Sequence, residues 1–396
     1  MPKKTVEDMD VRGKRVLLRV DFNVPLNRDT GAISDDTRIR ASLPTIKYLV
    51  DHKAKVVICS HLGRPEGIVV ENLRMAPIAE KLSQLMGRPV STASDCIGRE
   101  VESKVTTLKE GDILVLENLR FHPEEEADDV GFAQKLARLA DIYVNDAFGT
   151  AHRAHASTVG VAKYLPAVAG LLMDKELKVM EKLLHNPERP SACLIGGAKV
   201  SDKIELLQNM LKKVDVLLVG GGMAATFLKT QGHEVGRSLT EDDKLGLARK
   251  LLQEARDWRV AFLLPIDAVV ADEIRVGAKT RVVPTTNIPA GSHIVDIGPE
   301  SIELFCGELR KCRTIIWNGP MGIYEIPQFA QGTRSIASFL STLNATTIIG
   351  GGSSAEVVQA MGLTDKMTHV STGGGASLRF LEGATLPGVE VLLDKK

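Results

Sequence analysis

Short runs of aliphatic and β-branched residues recur along this chain with helix-like stretches between them, and that alternation restricts the fold more than any other feature. In the first half the runs are Arg15–Val20, Lys55–Cys59, Asp112–Leu116 and Asp141–Val144. In the second half they are Ser191–Ile195, Asp215–Val219, Ala261–Leu264, Thr314–Trp317 and Thr346–Ile349. Runs this short and this apolar suit strands buried on both faces, as in a parallel sheet covered by helices. Ala76–Met86 and Asp243–Ala255 are amphipathic at helical spacing and supply crossover helices. The pattern predicts an α/β fold, built twice.

A length of 396 residues agrees with two domains. The segment from Leu165 to Leu184 reads as a long helix, opened by Pro166 and closed by Asn186-Pro187. It reads equally as an inter-domain connector and as one more crossover helix. The 50 basic and 50 acidic residues cancel, so no net field favours nucleic acid or an anionic membrane. Any anion site must come from local clustering. Cys59, Cys96, Cys193, Cys306 and Cys312 are scattered, without zinc-finger or disulfide-framework spacing. No signal peptide or membrane span is read, and the expectation is a cytoplasmic protein with reduced thiols.

Ligands of open α/β sheets bind beyond the carboxyl ends of the strands. In the first half those ends run into Asp21-Phe22-Asn23-Val24-Pro25, His61-Leu62-Gly63-Arg64, Asn118-Leu119-Arg120 and Asn145-Asp146, the last leading to His152-Arg153-Ala154-His155. Arg38 lies further along the first loop. His61, Arg64, Arg120 and Arg153 are thereby delivered to one rim, with Asp21 and Asn23 as polar partners. Guanidinium forks match carboxylate and phosphate oxygens, so the rim suits a small, multiply charged anion. Each arginine alone would read as a solvated loop residue; their repetition at strand ends is the signal. The pair His152 and His155 has no third ligand nearby in sequence and is weak as a metal motif.

The second half ends its strands in glycine: Gly196-Gly197-Ala198-Lys199, Gly220-Gly221-Gly222, Asn318-Gly319-Pro320, Gly350-Gly351-Gly352-Ser353 and, after His369–Thr372, Gly373-Gly374-Gly375. Glycine lets backbone approach phosphate closely, and a following helix start aims free N–H groups at the anion. Lys199 and Lys203 add the charge a phosphoryl-transfer transition state needs. Gly220–Ala225 and Gly350–Ala355 also match the loose G-x-G-x-x-A dinucleotide fingerprint, which would suggest an NAD-dependent dehydrogenase. No strand ending in an acidic residue follows at the required distance. A Walker loop and the protein-kinase H-R-D set are likewise missing from the sequence. A non-catalytic protein closing on a phosphorylated metabolite is the other alternative; Lys199 beside the glycine turns would have no purpose there.

These segments resemble the phosphoglycerate kinase family. The resemblance is carried by Asp21–Pro25, His61–Pro65, Leu116–Phe121, Gly196–Val200, Trp317–Pro320 and Ser371–Ser377, in the family's order over nearly the whole chain. It implies two Rossmann-like three-layer α/β/α domains with mainly parallel sheets, joined by a helix across a cleft. Residues 1–164 would be the 3-phosphoglycerate domain, 165–186 the connecting helix, 187–380 the nucleotide domain, and 381–396 a segment returning to the first. Asp21, Asn23, Arg38, His61, Arg64, Arg120 and Arg153 would bind phosphoglycerate. Gly197, Ala198, Lys199, Lys203, Gly221, Asn318, Pro320, Glu325, Gly351, Gly352, Ser353 and Ser354 would bind Mg²⁺-ADP or Mg²⁺-ATP, with Glu325 on the ribose hydroxyls. Arg38 and Lys199, assisted by backbone N–H groups at Gly352 and Gly375, would stabilise the transferring phosphoryl after hinge closure. The resemblance further implies a monomer acting on small molecules, with no nucleic-acid or membrane partner.

Two positions depart from the family's pattern. Ser353 stands where Asp is usual, so the carboxylate expected to hold the nucleotide's magnesium is missing; phosphates and water would then carry the ion. Arg379 stands where Glu is usual, a local charge reversal.

Overall fold

The computed structural model describes residues 2–27 and 30–395. The chain forms two compact units, one of Met1–Lys178 with Thr385–Lys396 and one of Val179–Ala384.

In the first unit β1 (Arg15–Arg19), β2 (Lys55–Cys59), β3 (Ser91–Thr92), β4 (Ile113–Val115), β5 (Ile142–Asn145) and β6 (Ala167–Ala169) form one sheet in the order β3-β4-β2-β1-β5-β6. Every pairing is parallel, with Leu17 opposite Val57 on one side and Tyr143 on the other. Val16, Leu17 and Leu18 are fully buried, which is why the run reads as continuously apolar rather than alternating. Helices such as Thr37–Asp51 and Ala76–Met86 cover the sheet. The latter has the expected bounds: Pro77 sits in its first turn, and Gly87 closes it in the left-handed conformation. The strand order reverses at β1, so β1 and β5 flank the crevice where a ligand is expected.

The helix anticipated from Leu165 begins instead at Leu171 and runs to His185. Ala167–Ala169 pairs with β5 as an edge strand. Asp146, at the end of β5, accepts from Leu172 N at 2.9 Å and Met173 N at 3.2 Å, supplying the helix with a cap from outside its own segment. A Cβ at Gly170 would lie 2.1 Å from Asp146 Oδ1, so glycine is needed for that close approach. The chain's last segment packs on the same unit: Leu393 N donates to Ala167 O at 2.9 Å, and Asn145 Nδ2 donates to Gly388 O at 3.0 Å.

The second unit holds β7 (Ser191–Ile195), β8 (Val216–Val219), β9 (Ala261–Leu263), β10 (Asp267–Ala271), β11 (Thr280–Pro284), β12 (His293–Ile297), β13 (Thr314–Asn318), β14 (Thr346–Gly350) and β15 (His369–Val370). Its main sheet is parallel, in the order β15-β14-β13-β7-β8-β9. Trp317 and Phe305 are buried in its core. A second sheet, β11-β10-β12, is antiparallel and was not expected. Thr280 to Pro284 of β11 are mostly exposed, so no apolar run marks that strand. The helix anticipated over Asp243–Ala255 spans Leu245–Asp257, because Asp242–Lys244 forms a tighter turn ahead of it. No helix among the described residues is long and apolar enough to cross a membrane.

Candidate active site

Two polar constellations occupy the strand ends, one in each unit. In the first unit Asp21 follows β1 and Arg38 sits in the first turn of Thr37–Asp51; Arg38 Nη1 donates to Asp21 Oδ2 at 2.7 Å. Asn23 Oδ1 accepts from Gly63 N at 2.8 Å and so ties the loops after β1 and β2. Arg120 is buried, donates to Gly63 O at 2.9 Å and pairs with Glu126 at 3.0 Å. Arg153 Nε contacts His152 Nε2 at 3.3 Å.

His61 records how these groups converge. Its imidazole pKa is driven well below the ordinary value, first by burial and then by Arg19, Arg120, Arg38 and Arg153. His155 is lowered to about 4 by burial and by Arg19, Arg120 and Arg153. Four guanidiniums therefore act on one buried imidazole and keep it neutral, a concentration of positive charge that favours an anion nearby. Arg64 is exposed and makes no ion pair among the described residues.

Sequence reasoning missed the layer beneath. Arg19 is 1% exposed, and its Nε donates to Ser157 Oγ at 2.8 Å. Ser157 in turn donates to Glu125 Oε1 at 2.5 Å, and Ser157 N donates to Glu125 Oε2 at 2.9 Å. Glu125 is fully buried, and burial raises its pKa against the pull of Arg19 and Ser157. This buried ion network holds the rim from below. Arg19 ends β1 itself, two residues ahead of Asp21.

In the second unit the glycine turns after β7, β8, β13 and β14 line two adjoining cavities. A mainly apolar one of about 420 Å³ is lined by Gly197, Gly221, Leu239, Ile274, Met321 and Glu325 among others. A cavity of about 280 Å³ is lined by Lys199, Lys203, Asn318, Gly351 and Gly352. Gly197, Ala198, Pro320 and Ser353 line both, so an apolar slot runs into a basic, amide-rich one. Gly221 has φ +69, and a Cβ there would lie 2.7 Å from Gly197 N and O. The turns thus pack backbone against backbone.

Lys203 Nζ donates to Asn318 Oδ1 at 2.5 Å, which leaves the Asn318 amide nitrogen as the free end of that side chain. That Nδ2 is buried and finds no acceptor among the described residues. It lies 3.2 Å from where a Cβ of Gly350 would be, directly at the β14 turn. A buried donor without a partner costs stability, on the order of 1–3 kcal/mol, unless a ligand satisfies it. Phosphate oxygen is the acceptor this neighbourhood suits, and the residues fit a nucleotide's phosphate chain.

Not every anticipated residue turns toward the cavities. Ser354 is fully buried and its Oγ accepts from Gly319 N at 2.7 Å, so it supports the Asn318–Pro320 turn. Gly375 opens the helix Gly375–Leu381 and lines neither cavity. Gly352 opens the helix Gly352–Ala360 and does line the basic one. Arg379 pairs with Glu205 at 2.9 Å and Glu382 at 3.1 Å, tying its helix to Ile204–Leu211. At that exposure the pairs contribute at most about 1 kcal/mol.

A sequence model described as phosphoglycerate kinase matches residues 6–384. The chain belongs to the phosphoglycerate kinase family. It is 58% identical over 395 residues to a phosphoglycerate kinase of Pelotomaculum thermopropionicum, covering 100% of both chains. Identity is also 58%, over 399 residues, to that of Dictyoglomus turgidum, again with 100% of each covered. Among solved structures, phosphoglycerate kinase from Coxiella burnetii matches with a TM-score of 0.88 at 40% identity, covering 98% of each chain. The enzyme from Pyrococcus horikoshii matches at 0.85 and 34% identity, also over 98% of each. The parallel sheets are thus those of a phosphoglycerate kinase.

Proposed function

We propose that this chain, a phosphoglycerate kinase, transfers a phosphoryl group reversibly from 1,3-bisphosphoglycerate to ADP, giving 3-phosphoglycerate and ATP. The enzyme would be a phosphotransferase with a carboxyl group as acceptor, working in glycolysis or gluconeogenesis as a cytoplasmic monomer. The observation that carries the reading is the buried Asn318 Nδ2, held as an unpartnered donor by Lys203 beside the Gly350–Gly352 turn.

On this reading the four guanidiniums around His61 hold phosphoglycerate, through Arg38, Arg120 and Arg153 with Arg19 behind them. His61 offers a neutral Nε2–H donor to the same anion. Asp21 keeps Arg38 directed at the rim through their 2.7 Å contact. The apolar cavity takes the nucleoside, with Glu325 at its wall for the ribose hydroxyls, and the basic cavity takes its phosphates. Phosphoryl transfer of this kind runs in line through a transition state whose charge spreads over three oxygens, so positioned cations do the catalytic work and no covalent nucleophile is required. Arg38, Lys199 and the amide of Gly352 are the groups assigned to that charge, with Gly375 as a further helix-start amide. Bound magnesium would neutralise the nucleotide's phosphate oxygens. With Ser353 in place of a carboxylate, the ion would be held chiefly by those phosphates and by water.

The test is a coupled assay with ATP and 3-phosphoglycerate. ADP formation strictly dependent on 3-phosphoglycerate is expected; a folded protein that forms none would reject the reading.

A further inference from the structure

A second group of ligating side chains lies at the far edge of the first sheet. Asp95 and Cys96 follow β3, and His122 follows the turn Leu119–Phe121 after β4. Because β3 and β4 are parallel neighbours, both loops leave the same end of the sheet. Glu117 N donates to Asp95 O at 3.3 Å and ties them together.

The side chains converge on one carboxylate. His122 Nε2 lies 2.7 Å from Asp95 Oδ1, and Cys96 N donates to the same oxygen at 2.6 Å. One ligand atom from each of the three residues lies within 4.8 Å of the others. Their burial is graded: Cys96 is fully buried, while the His122 and Asp95 side chains are 26% and 47% exposed. Sulfur thus forms the floor, and the imidazole and carboxylate form a mouth open to solvent. The His122 ring is held against Phe132, with centroids 5.2 Å apart.

We propose that Asp95, Cys96 and His122 bind a divalent transition-metal ion of the Zn²⁺ or Co²⁺ class, with water completing the tetrahedron. Thiolate, imidazole and carboxylate together are the donor set of that class and not of Mg²⁺ or Ca²⁺. Metal–ligand lengths of about 2.0–2.3 Å require the three donors to draw in to roughly 3–4 Å of one another. That contraction is within the reach of two loop side chains at the mouth. Coordination is through deprotonated sulfur and an unprotonated ring nitrogen, so the thiol proton leaves to solvent, as does any imidazolium proton. The ion would clamp the two-residue strand β3 to the turn that carries Arg120, linking this edge to the basic rim.

The experiment uses the full chain, stripped with chelator and titrated with Co²⁺ alone. A thiolate-to-cobalt absorption band saturating at one equivalent, and removed by Zn²⁺, is expected. Cys96→Ser should abolish the band. Since Cys96 is buried and that variant can fail to fold, Asp95→Asn and His122→Ala at the solvent-facing positions supply the second arm. Each should keep the wild-type circular dichroism and weaken Co²⁺ binding at least about tenfold. Absence of a thiolate band in folded wild type, or an undiminished band in both surface variants, would overturn the proposal.

Discussion

Arg19 Nη2 lies 3.3 Å from His61 Nδ1. A guanidinium can only donate, so Nδ1 must be the acceptor and the ring's single proton sits on Nε2. His61 is thereby fixed as a donor at its other edge. Arg19 is itself held by Ser157, which in turn donates to Glu125, and this makes the tautomer a property of the buried network.

The same charges give stability a pH dependence of definite sign. His155 has its pKa lowered to about 4, and His61 is lowered well below its usual range. In the unfolded chain both would titrate near about 6.5. Between that pH and about 4 the unfolded state binds more protons, so these groups contribute stability at neutral pH that is lost as pH falls. His155→Gln should flatten the loss, by up to about 1.4 kcal/mol per pH unit. Urea unfolding of both proteins at pH 7, 6 and 5 checks this. Parallel stability curves would show that His155 is not held neutral.

Arg38 separates fold from turnover. It lies in the first turn of its helix with its side chain 37% exposed, and it pairs with Asp21. Arg38→Ala removes little packing. If the guanidinium stabilises charge on the transferring group, kcat should fall by about 10²–10³. Circular dichroism and thermal midpoint should barely move. Near-normal kcat would show the assignment to be wrong.

Much of this could be read from the chain because parallel strands buried on both faces announce themselves as continuous apolar runs, and ligand groups follow their carboxyl ends. That logic reached Asp21, His61, Arg120, Lys199 and Asn318. It could not reach Arg19 or Glu125, since a charge paired inside the fold looks like any surface charge until its partner, here Ser157, is brought up from far along the chain. The start of the Leu171–His185 helix was hidden for a similar reason: its cap, Asp146, lies outside the helical segment. β11 was missed because its exposed residues carry no apolar signature. Ser354, which the resemblance gives to the nucleotide, has a hydroxyl that accepts from Gly319 N, a contact no local pattern announces.

Lys203 tests the nucleotide assignment alone. Its ammonium is largely buried, which lowers its pKa, and it fixes the amide orientation of Asn318. In Lys203→Ala that orientation is released and a cation beside the phosphates is lost. ADP affinity should fall by about tenfold or more, equivalent to about 1.4 kcal/mol. Affinity for 3-phosphoglycerate should stay within error in the same titration calorimetry. A change confined to phosphoglycerate would contradict the assignment of this cavity.

Ser353 bears on the metal. It lines both cavities at the start of the helix Gly352–Ala360, where a carboxylate would offer magnesium a direct ligand. The nearby carboxylate of Glu356 does not simply substitute: it is exposed and accepts from Tyr324 Oη at 2.9 Å. Magnesium keeps several waters and binds phosphate oxygens readily, so an ion can be retained without a protein carboxylate, but more weakly. Ser353→Asp should therefore lower the Mg²⁺ concentration giving half-maximal rate at fixed ADP. It should also tighten Mn²⁺ binding to the protein–ADP complex, measured by the loss of the free-ion electron paramagnetic resonance signal. Superimposable curves in both measurements would mean that the residue at this position does not govern how the metal is held.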